Sequence, residues 1–518
     1  MTHHAFRAAV LSGLLLTGLA CGSPPKKAAP EVRRIPRAVL EDKIRGGWAG
    51  QMIGVSFGAP TEFKAQGKIL EGDLPWAPGR VENSIHQDDL YVEMTFAEVM
   101  DKKGLDALSK DYGEMFKDSK YGLWHANAAA RRILSGGIEA PLSGDPKYNI
   151  HANDIDFQIE ADFIGLMTPG LPQESNRLCD RVGRVMNSGD GLYGGMFCCG
   201  MYAAAFFESD IRKVVEQGLA CIPAESRYGK LVRDVLGFSA TYPDDWRKTW
   251  QEIQYKWDKD DSCPDGALQS FNIDACLNGA YIAIGLLYGK GDLAKTLEIS
   301  TRCGQDSDCN PASAAGILGV LKGYAAIPEE YTSGIAAIAD TKFEYTSYSF
   351  NEIVRSTLVR AVKVVENAGG RVMGDQVVVP IQAPAAPALE QWSMGIPEKS
   401  MAASDGDWAW SGAWSDSKDG KSASGAGAEA TLRFSGTAVA VVGSMTQEGG
   451  KADVLIDGKK VGGINAYIPP NTHDNDLFHA YGLADGDHEL KILMQDDADP
   501  RSKGKKVVIS RAISYRGK

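Results

Sequence analysis

The stretch GGWAGQMIGVSFGAPTEF, residues 46–63, combines small and apolar residues at helical spacing and then reaches Pro60 and Glu62. Side chains this small let neighbouring helices approach closely, and apolar residues that recur every three or four positions are typical of packed helices. The same spacing occurs in several segments, namely 39–57, 88–103, 197–220, 274–288 and 311–325. The pattern predicts an all-α domain over residues 39–370, with long functional loops between its helices.

Composition narrows the class of protein. The chain has 518 residues, of which 44% are hydrophobic and 24% are charged, and such values are typical of globular proteins and exclude disordered or collagen-like chains. At roughly 150 residues per domain, the length suggests two or three domains. The net charge of −12 provides no basic field, so we expect no nucleic-acid partner. Because the one long apolar run is N-terminal, a polytopic membrane protein is also excluded.

Residues 1–21, MTHHAFRAAVLSGLLLTGLAC, resemble a bacterial lipoprotein signal peptide. The apolar run from Ala8 to Ala20 is too short to span a bilayer, and Cys21 follows it directly. We predict lipidation at Cys21 and a flexible tether over residues 22–38. The protein would then be an exported lipoprotein, anchored to a membrane on its periplasmic or cell-surface side. The alternative is an ordinary secretory signal in which the cysteine has no role.

The periodicity changes after residue 370. Residues 371–391 include VVVPIQAPAAPALEQ (377–391), whose Pro and Ala content predicts a linker or an extended strap across the surface. Beyond them, alternating apolar and polar residues predict strands at 431–443, 451–462, 488–494 and 506–516. Asp-Gly pairs at 405–406 and 457–458 predict turns. We predict an all-β sandwich over residues 392–518 that resembles the jelly-roll, galactose-binding-like modules of secreted glycan-active enzymes, and it is a candidate carbohydrate-binding module.

Three tryptophans, Trp408, Trp410 and Trp414, precede the first clear strand of this sandwich. Indole rings can stack on sugar rings, and they can equally pack the edge of a sandwich. The sequence is compatible with both roles.

Two motifs in the helical region concentrate carboxylates. HQDDLYVE (86–93) places Asp88 and Asp89 side by side at the start of a helix, where a divalent cation would offset their repulsion. CGQDSDCNPASAAG (303–316) alternates Asp306 and Asp308 in a loop before a small-residue helix. Alternate spacing can point two carboxylates at one ion, but a loop of this kind is also a common helix cap. Eight cysteines follow Cys21 without a C-x-x-C pair or a Cys/His cluster in the sequence, which argues against a structural zinc site.

Together, in their order, three motifs resemble those of the ADP-ribosylglycohydrolase family, which includes the enzyme that removes ADP-ribose from dinitrogenase reductase. Gly50 through Glu62 match the family's opening G-x-x-x-G-D-A-x-G-x-P-x-E-like segment. Residues 87–90 (QDDL) match its T-D-D-T motif, and residues 304–309 (GQDSDC) match its G-G-D-T-D-T motif. The resemblance covers residues 39–330 and implies a compact all-α fold with two Mg²⁺ or Mn²⁺ ions at its centre.

The resemblance also implies roles for individual residues. The candidate metal ligands are Gln87, Asp88, Asp89, Asp306, Asp308 and Cys309, with the first pair of aspartates on one ion, the second pair on the other, and one carboxylate bridging. Glu62 and Asp89 are the candidate catalytic carboxylates. Gln87 and Cys309 stand where the family has ligating Thr residues. Gln87 still offers an oxygen, whereas Cys309 is a poor partner for a hard ion and can instead pair with another thiol.

Family members place substrate-contacting residues in a mid-chain loop, and three stretches of this chain are comparable. HANDIDFQIEADFIGL (151–166) crowds four acids, which either line the site or form a solvated face. YGLWHANAAAR (121–131) and SGDGLYGGMF (188–197) offer aromatic and hydrogen-bonding groups. The candidate substrate-binding residues are Trp124, His125, Asn127, Asp156, Glu160 and Tyr193.

The function implied by the resemblance is metal-dependent glycoside hydrolysis. Water would attack the anomeric carbon of an ADP-ribose or ribofuranose-like group and break an N- or O-glycosidic bond, with Glu62 or a metal-bound Asp as base. Because the chain is predicted to be exported and ADP-ribosylated proteins are mainly intracellular, a nucleoside or a furanose-containing glycan is an alternative substrate. A second alternative is a non-catalytic, glycan-binding surface lipoprotein whose metal site is altered at Gln87 and Cys309.

Overall fold

In the computed structural model, residues 31–258, 262–468 and 472–517 are described, and the chain from Val32 onward forms one compact unit. The predicted signal peptide, with its lipidation site at Cys21, lies outside the described residues. Within the described ranges, no helix is both long enough and apolar enough to cross a membrane.

The first domain is helical, as predicted. Its helices are α1 (Arg37–Gly58), α2 (Asp88–Lys103), α3 (Ser109–Lys117), α4 (His125–Ser135), α5 (Asp156–Glu160), α6 (Asp162–Leu166), α7 (Pro172–Gly183), α8 (Asp190–Ala205), α9 (Ile211–Ala220), α10 (Arg227–Thr241), α11 (Trp246–Trp257), α12 (Ala275–Gly289), α13 (Leu293–Arg302), α14 (Cys309–Lys322), α15 (Glu329–Ile338) and α16 (Phe350–Asn367). The predicted helical segment 197–220 is wrong in one respect, because α8 ends at Ala205. The Asp210 side chain then caps α9 by accepting the N–H groups of Arg212 and Lys213.

Four helices, α1, α8, α12 and α14, form the centre of this domain and are buried on nearly all sides. Helices that are apolar and small-residue-rich all round belong inside a fold rather than on its surface. Of the contacts among these four helices, the one between α1 and α14 is the closest. Gly46, Gly50, Gly54 and Gly58 repeat every fourth residue, so they share one face of α1. The first three lie directly against the backbone of α14, and Gly58 lies against the loop before it.

A small antiparallel sheet joins the two ends of the helical domain. Its strands are β1 (Val32–Pro36), β2 (Arg371–Met373) and β3 (Gln376–Pro380), in the order β1-β3-β2. The predicted tether over 22–38 and linker over 371–391 are therefore corrected at these residues, which are paired strands. Ile35 and Val377–Val379 are buried, so apolar burial adds to the backbone hydrogen bonds of this pairing.

Residues 381–391 have no regular secondary structure and run across the helical domain. Gln173 donates to the carbonyl oxygen of Ala383 at 3.0 Å, and Asn176 donates to that of Ala385 at 3.0 Å. Arg184 forms a salt bridge with Glu390. The segment is thus a strap held by side chains of the helical domain.

The second domain is a sandwich built from an antiparallel sheet around one apolar core. Its strands are β4 (Ile396–Ala402), β5 (Trp408–Ser411), β6 (Ser415–Ser417), β7 (Gly420–Ser424), β8 (Glu429–Met445), β9 (Gly450–Ile456), β10 (Lys459–Asn465), β11 (Thr472–Ala498) and β12 (Lys506–Arg516). The order is β10-β9-β11-β8-β12-β7-β6, with β4 on β12 and β5 on β8. The predicted strand 451–462 is a hairpin that turns at Asp457 and Gly458, where φ is 50° and 77°.

The three tryptophans differ in how deeply they are buried in this sandwich. Trp408 is only 6% exposed and donates its indole N–H to the carbonyl oxygen of Met401 at 3.2 Å. Trp410 stacks on Trp408 with ring centroids 5.0 Å apart, and Trp414 donates to the carbonyl oxygen of Glu429 at 3.0 Å. Trp408 therefore packs the edge of the sandwich, which was the second of the two roles compatible with the sequence.

Polar and apolar contacts join the two domains. Arg132 of α4 forms a salt bridge with the buried Asp476 of β11, and His479 Nε2 lies 2.8 Å from the carbonyl oxygen of Pro146. An apolar cluster at the same seam combines helical-domain and β-domain residues, namely Ile150, Ala267, Met394, Ala438, Ala440, Val442, Ile513 and Tyr515.

Candidate functional site

The first and third motifs lie side by side because of the contact between α1 and α14. A Cβ atom at Gly58, the last residue of α1, would lie 1.9 Å from the carbonyl oxygen of Ser307. The hydroxyl oxygens of Thr61 and Ser307 are 2.9 Å apart, and the N–H of Phe63 donates to the carbonyl oxygen of Gln305 at 3.0 Å. The loop after α1 is thus fixed against the loop that precedes α14.

The second motif meets the third at the start of α2. Asp88 and Asp89 occupy the first turn of that helix. The thiol of Cys309 donates to Oδ2 of Asp89 at 3.4 Å and to Oδ1 of Asp308 at 3.8 Å, and Cys309 forms no disulfide. Asp306, Asp308 and Cys309 each offer one ligand atom, and these atoms lie within 4.8 Å of one another. The structure therefore brings the two acidic motifs into one cluster, which we call the acidic centre and define as Asp88, Asp89, Asp306 and Asp308.

The aspartates of the acidic centre have raised pKa values, because they are buried together with too little positive charge nearby. Burial, together with the charge of Asp308, raises the pKa of Asp88 to about 6. Burial and the charges of neighbouring aspartates raise the pKa of Asp89 and that of Asp306 well above the usual range. Four crowded, largely buried carboxylates cannot all be ionised at neutral pH without a counter-charge, and a divalent cation supplies one.

The donor atoms present fit hard divalent cations. Oδ1 of Asp89 and Oδ1 of Asp306 are buried and have no hydrogen-bond partner within the described part of the chain. Gln87 precedes α2, is partly buried and makes no side-chain cap to the helix, so its amide oxygen is available as well. Mg²⁺ and Mn²⁺ prefer such oxygen ligands, whereas the Cys309 thiol serves here as a hydrogen-bond donor to carboxylates.

Glu62 lies at the rim of the acidic centre. A cavity of about 620 Å³ is lined by Glu62, Gln87 and three polar residues of the preceding loop, namely Arg80, Glu82 and Asn83. The residue as a whole is exposed, but partial burial of its carboxyl group and the charges of Asp308 and Asp88 raise its pKa to about 7. A carboxyl group with such a pKa can both accept and release a proton at neutral pH.

Asp156 and Glu160 do not form a solvated face, because both are buried. Asp156 accepts the backbone N–H groups of Ala126 at 3.2 Å and of Asn127 at 2.9 Å, so it caps the first turn of α4. The Asn127 side chain donates to Oε1 of Glu160. Burial and Asp156 raise the pKa of Glu160 well above its usual range, and Asp88 and Asp89 add to the effect. These residues therefore form an acidic layer behind the acidic centre.

Trp124 and His125 lie at the start of α4, where Trp124 is the residue before the helix and His125 is its first residue. Trp124 is 58% exposed, so its ring is accessible to a ligand. His125 has Nδ1 3.0 Å from Oδ2 of Asp265, and its ring centroid lies 5.6 Å from that of Phe271. His125 lies close enough to Asp88 and Glu62 to lower the pKa of both carboxyl groups, although burial and neighbouring acids raise them more.

Tyr193, predicted to bind substrate, is corrected by the structure. It is 1% exposed, and its hydroxyl accepts the N–H of Glu390 at 2.7 Å and donates to the carbonyl oxygen of Ala388 at 3.2 Å. Its hydrogen-bonding capacity is thus used by the strap. The sequence prediction failed because the strap is almost 200 residues further along the chain.

Two buried acids near Asp89, Glu93 and Asp162, were not among the predicted site residues, although Asp162 is one of the four acids crowded in residues 151–166. Glu93 lies one turn beyond Asp89 on α2 and accepts the N–H of Phe163 at 2.8 Å, while its Oε1 has no partner within the described residues. The hydroxyl of Tyr202 donates to Asp162 at 2.8 Å. The four-residue spacing of Asp89 and Glu93 was the available signal, since residues at that spacing share a helix face.

Glu93→Gln is expected to stabilise the metal-free protein at pH 8 but not at pH 5. Burial and Asp162 raise the pKa of Glu93 well above its usual range. A carboxyl group whose pKa is raised by folding favours the folded state at low pH, and this contribution is lost as the pH rises above about 4.3. The amide of glutamine cannot ionise, so the variant does not lose stability in this way as the pH rises. Urea midpoints in EDTA at the two pH values measure the effect.

The exposed Glu366 offers a control, because Glu366→Gln should change neither midpoint. Equal destabilisation by Glu93→Gln at both pH values would show instead that the folded protein needs an ionised Glu93.

The family model described as ADP-ribosylglycohydrolase matches residues 36–361. A solved structure titled "ADP-ribosylglycohydrolase-related protein complex" is similar to this chain at 14% sequence identity and a TM-score of 0.44, covering 62% of this chain and 98% of its own. No curated protein sequence matches the chain.

Two further solved structures are similar over smaller parts. A two-domain esterase active on acetylated mannans shares 16% identity at a TM-score of 0.21, covering 35% of this chain and 50% of its own. A CBM36-1 domain of a multidomain xylanase from the hindgut metagenome of Trinervitermes trinervoides shares 10% identity at a TM-score of 0.17, covering 22% of this chain and 94% of its own. All three TM-scores are below 0.5, so these similarities carry no information on function.

Proposed function

The chain belongs to the ADP-ribosylglycohydrolase family, and from this premise we propose that it is an exported, metal-dependent glycoside hydrolase. Its substrate would carry an ADP-ribose or ribofuranose-like group in N- or O-glycosidic linkage. The observation that carries the proposal is the convergence of two distant acidic motifs, in which the thiol of Cys309, grouped with Asp306 and Asp308, contacts Asp89, and the charge of Asp308 acts on Asp88. Two of the buried carboxylate oxygens have no partner in the described residues. The family alone does not fix the substrate.

Asp88, Asp89, Asp306 and Asp308 would hold two Mg²⁺ or Mn²⁺ ions, and Gln87 would add an amide oxygen. Such ions, when bound, supply positive charge that orients sugar hydroxyls and lowers the pKa of water. The backbone hydrogen bonds between the loops after α1 and before α14 keep Glu62 at a fixed position beside these ligands.

Glu62 is the group of this chain that we assign as general base. The attacking water would form its bond to the anomeric carbon as the Glu62 carboxylate takes up its proton, and the glycosidic bond would break with its electron pair leaving on the aglycone. The cavity beside Glu62 is open to the surface, so it can admit a sugar ring. The exposed ring of Trp124 could stack on the sugar or base.

Glu62→Gln is expected to lower kcat about 10²-fold or more while leaving Mn²⁺ binding nearly unchanged, because the amide cannot accept the proton and general-base catalysis contributes effects of this size. Glu366→Gln is the matched control, since Glu366 is an exposed glutamate outside this cavity. Steady-state kinetics and Mn²⁺ titration of both variants measure the two quantities. A similar loss in both variants, or none in Glu62→Gln, would remove Glu62 from the mechanism.

Product analysis tests the reaction itself. The soluble form, residues 22–518, would be incubated with Mg²⁺ or Mn²⁺ and, in parallel, with ADP-ribosylated protein, nucleosides and furanose-containing glycans. Release of ADP-ribose supports the family reaction, and release from glycans or nucleosides alone corrects the substrate. Absence of turnover on all three, with sugar binding retained by Asp88→Ala, would favour a surface glycan-binding lipoprotein instead. The predicted lipid anchor at Cys21 and a carbohydrate-binding role for the β domain belong to the same proposal.

A further inference from the structure

A second group of donor side chains lies outside the acidic centre. It consists of His125, His151, Cys263 and Asp265, each of which offers one ligand atom within 4.8 Å of the others. It shares no residue with the acidic centre and differs from it in chemistry, because nitrogen and sulfur donors replace an all-carboxylate set. Its members come from three separate segments, which explains why the sequence showed no Cys/His cluster.

Two of the six donor–donor separations within this group are close to those around one tetrahedral ion, and the others are within 4.8 Å. Sγ of Cys263 lies 3.2 Å from Nδ1 of His151, and Nδ1 of His125 lies 3.0 Å from Oδ2 of Asp265. Zinc–ligand distances of about 2.0–2.3 Å place neighbouring tetrahedral ligands roughly 3.3–3.6 Å apart. Shifts of about 1 Å in these side chains would bring the four donor atoms to such distances.

We propose that His125, His151, Cys263 and Asp265 bind one divalent transition-metal ion of the zinc class. Two imidazoles, a thiolate and a carboxylate are the ligand types of zinc, and four protein ligands make a closed, structural site. This inference goes beyond the proposed hydrolysis and does not depend on it. It differs from the expectation drawn from cysteine spacing alone, which argued against a structural zinc site.

The surroundings of the group support a buried structural ion. His151 is 4% exposed and Cys263 is 2% exposed. With Nδ1 of His151 on the ion, Oδ1 of Asp476 lies 3.9 Å from the opposite ring nitrogen, Nε2, where a carboxylate orients the ring of a ligating histidine. Oδ2 of Asp154 lies 2.8 Å from Nδ1 itself, so the ion would replace this contact.

The location of the group indicates what the ion would do. Pro264, between two of the ligands, accepts a hydrogen bond from Arg511 of the β domain at 3.4 Å. The Phe271 ring lies 5.6 Å from His125 and 4.9 Å from Phe63, the residue after Glu62. The ion would therefore tie the segment around Cys263 to the helical domain, next to the β domain and behind the rim of the acidic centre.

Metal analysis of the full chain tests the proposal. Protein purified without chelator, dialysed against excess Zn²⁺ and then against excess Mg²⁺ to displace zinc from the acidic centre, should retain about one zinc per chain. Cys263→Ser and His151→Asn should each lower zinc affinity about tenfold or more. Cys221→Ser is the matched control, because Cys221 is also buried and its thiol donates to the carbonyl oxygen of Gln217 at 3.3 Å, a bond that serine can keep.

Co²⁺ substitution shows whether sulfur is a ligand. The wild-type protein loaded with Co²⁺ should show a thiolate-to-cobalt charge-transfer band that is retained in Cys309→Ser and lost in Cys263→Ser. This comparison separates the two clusters without a measurement of activity. Failure of the wild-type protein to retain zinc, or a sulfur band that depends on Cys309 rather than Cys263, would overturn the proposal. The wild-type measurements keep the test decisive even where a variant does not fold.

Discussion

Asp308→Asn should lower kcat/KM about 10³-fold or more, equivalent to about 4 kcal/mol of transition-state stabilisation, while the metal-free protein remains folded. Asp308 is 2% exposed, and its charge contributes to the raised pKa of Asp88, Asp89 and Asp306. It therefore contributes much of the negative charge that a cation would neutralise. Asparagine has nearly the same shape but lacks that charge. Metal binding should therefore weaken strongly while the fold is kept.

The thermal stability of the metal-free protein, in contrast to its activity, should not fall in Asp308→Asn. The Asp308 side chain makes no cap hydrogen bond to α14, and asparagine keeps an oxygen that can accept from the Cys309 thiol, so the cost to that helix should be small. Loss of one of four crowded charges relieves repulsion, and the melting temperature in EDTA should be equal to or higher than that of the wild type. The stabilisation that Mn²⁺ gives the wild type, about 2.7 kcal/mol at a hundredfold excess over Kd, should be largely absent from the variant.

Asp244→Asn is the control for this experiment, because Asp244 is 87% exposed and pairs only with the surface residue Lys290 among its described contacts. It should retain both activity and the Mn²⁺ effect. Full turnover by Asp308→Asn, or by the wild type after exhaustive chelation, would contradict the assignment of the acidic centre as the site of catalysis.

The division of the chain into helical and β domains was predictable from periodicity, because local patterns carry that information. The turn at Asp457 and Gly458 and the helix after Asp308 are examples. The strand Val32–Pro36 was not predictable, since its partner Gln376–Pro380 lies at the other end of the helical domain. Strand pairing at such a separation leaves no local signal in either segment.

In the candidate site, too, contacts between distant segments could not be predicted from local sequence patterns. Asp89 and Cys309 are 220 residues apart and yet in contact, and only the resemblance of the whole motif set implied their meeting. His151 and Cys263 are 112 residues apart with no motif to connect them, so the second metal cluster became visible only in three dimensions. Tyr193 was misassigned because the strap that occupies its hydroxyl could not be placed from sequence.

Gly54→Ala is expected to destabilise the helical domain by about 3 kcal/mol or more, at or beyond the usual cost of overpacking. A Cβ atom at this position would lie 2.2 Å from the carbonyl oxygen of Pro311 and 2.6 Å from Cα of Ala312. Both atoms belong to the backbone of α14, so no side chain can rotate away and the two helices must separate. The midpoint of urea unfolding in EDTA measures the loss.

Gly237→Ala provides the contrast, because Gly237 lies in α10 and a Cβ atom there would meet no described atom within 4 Å. Alanine there should be neutral or stabilising by up to about 1 kcal/mol. Since α14 begins directly after the Asp306–Asp308 loop, helix separation should also weaken Mn²⁺ binding by Gly54→Ala, whereas Asp308→Asn should lose the ion without losing stability. A wild-type midpoint for Gly54→Ala would show that α1 and α14 can separate freely, and the close helix contact would then no longer explain how the acidic loops are held together.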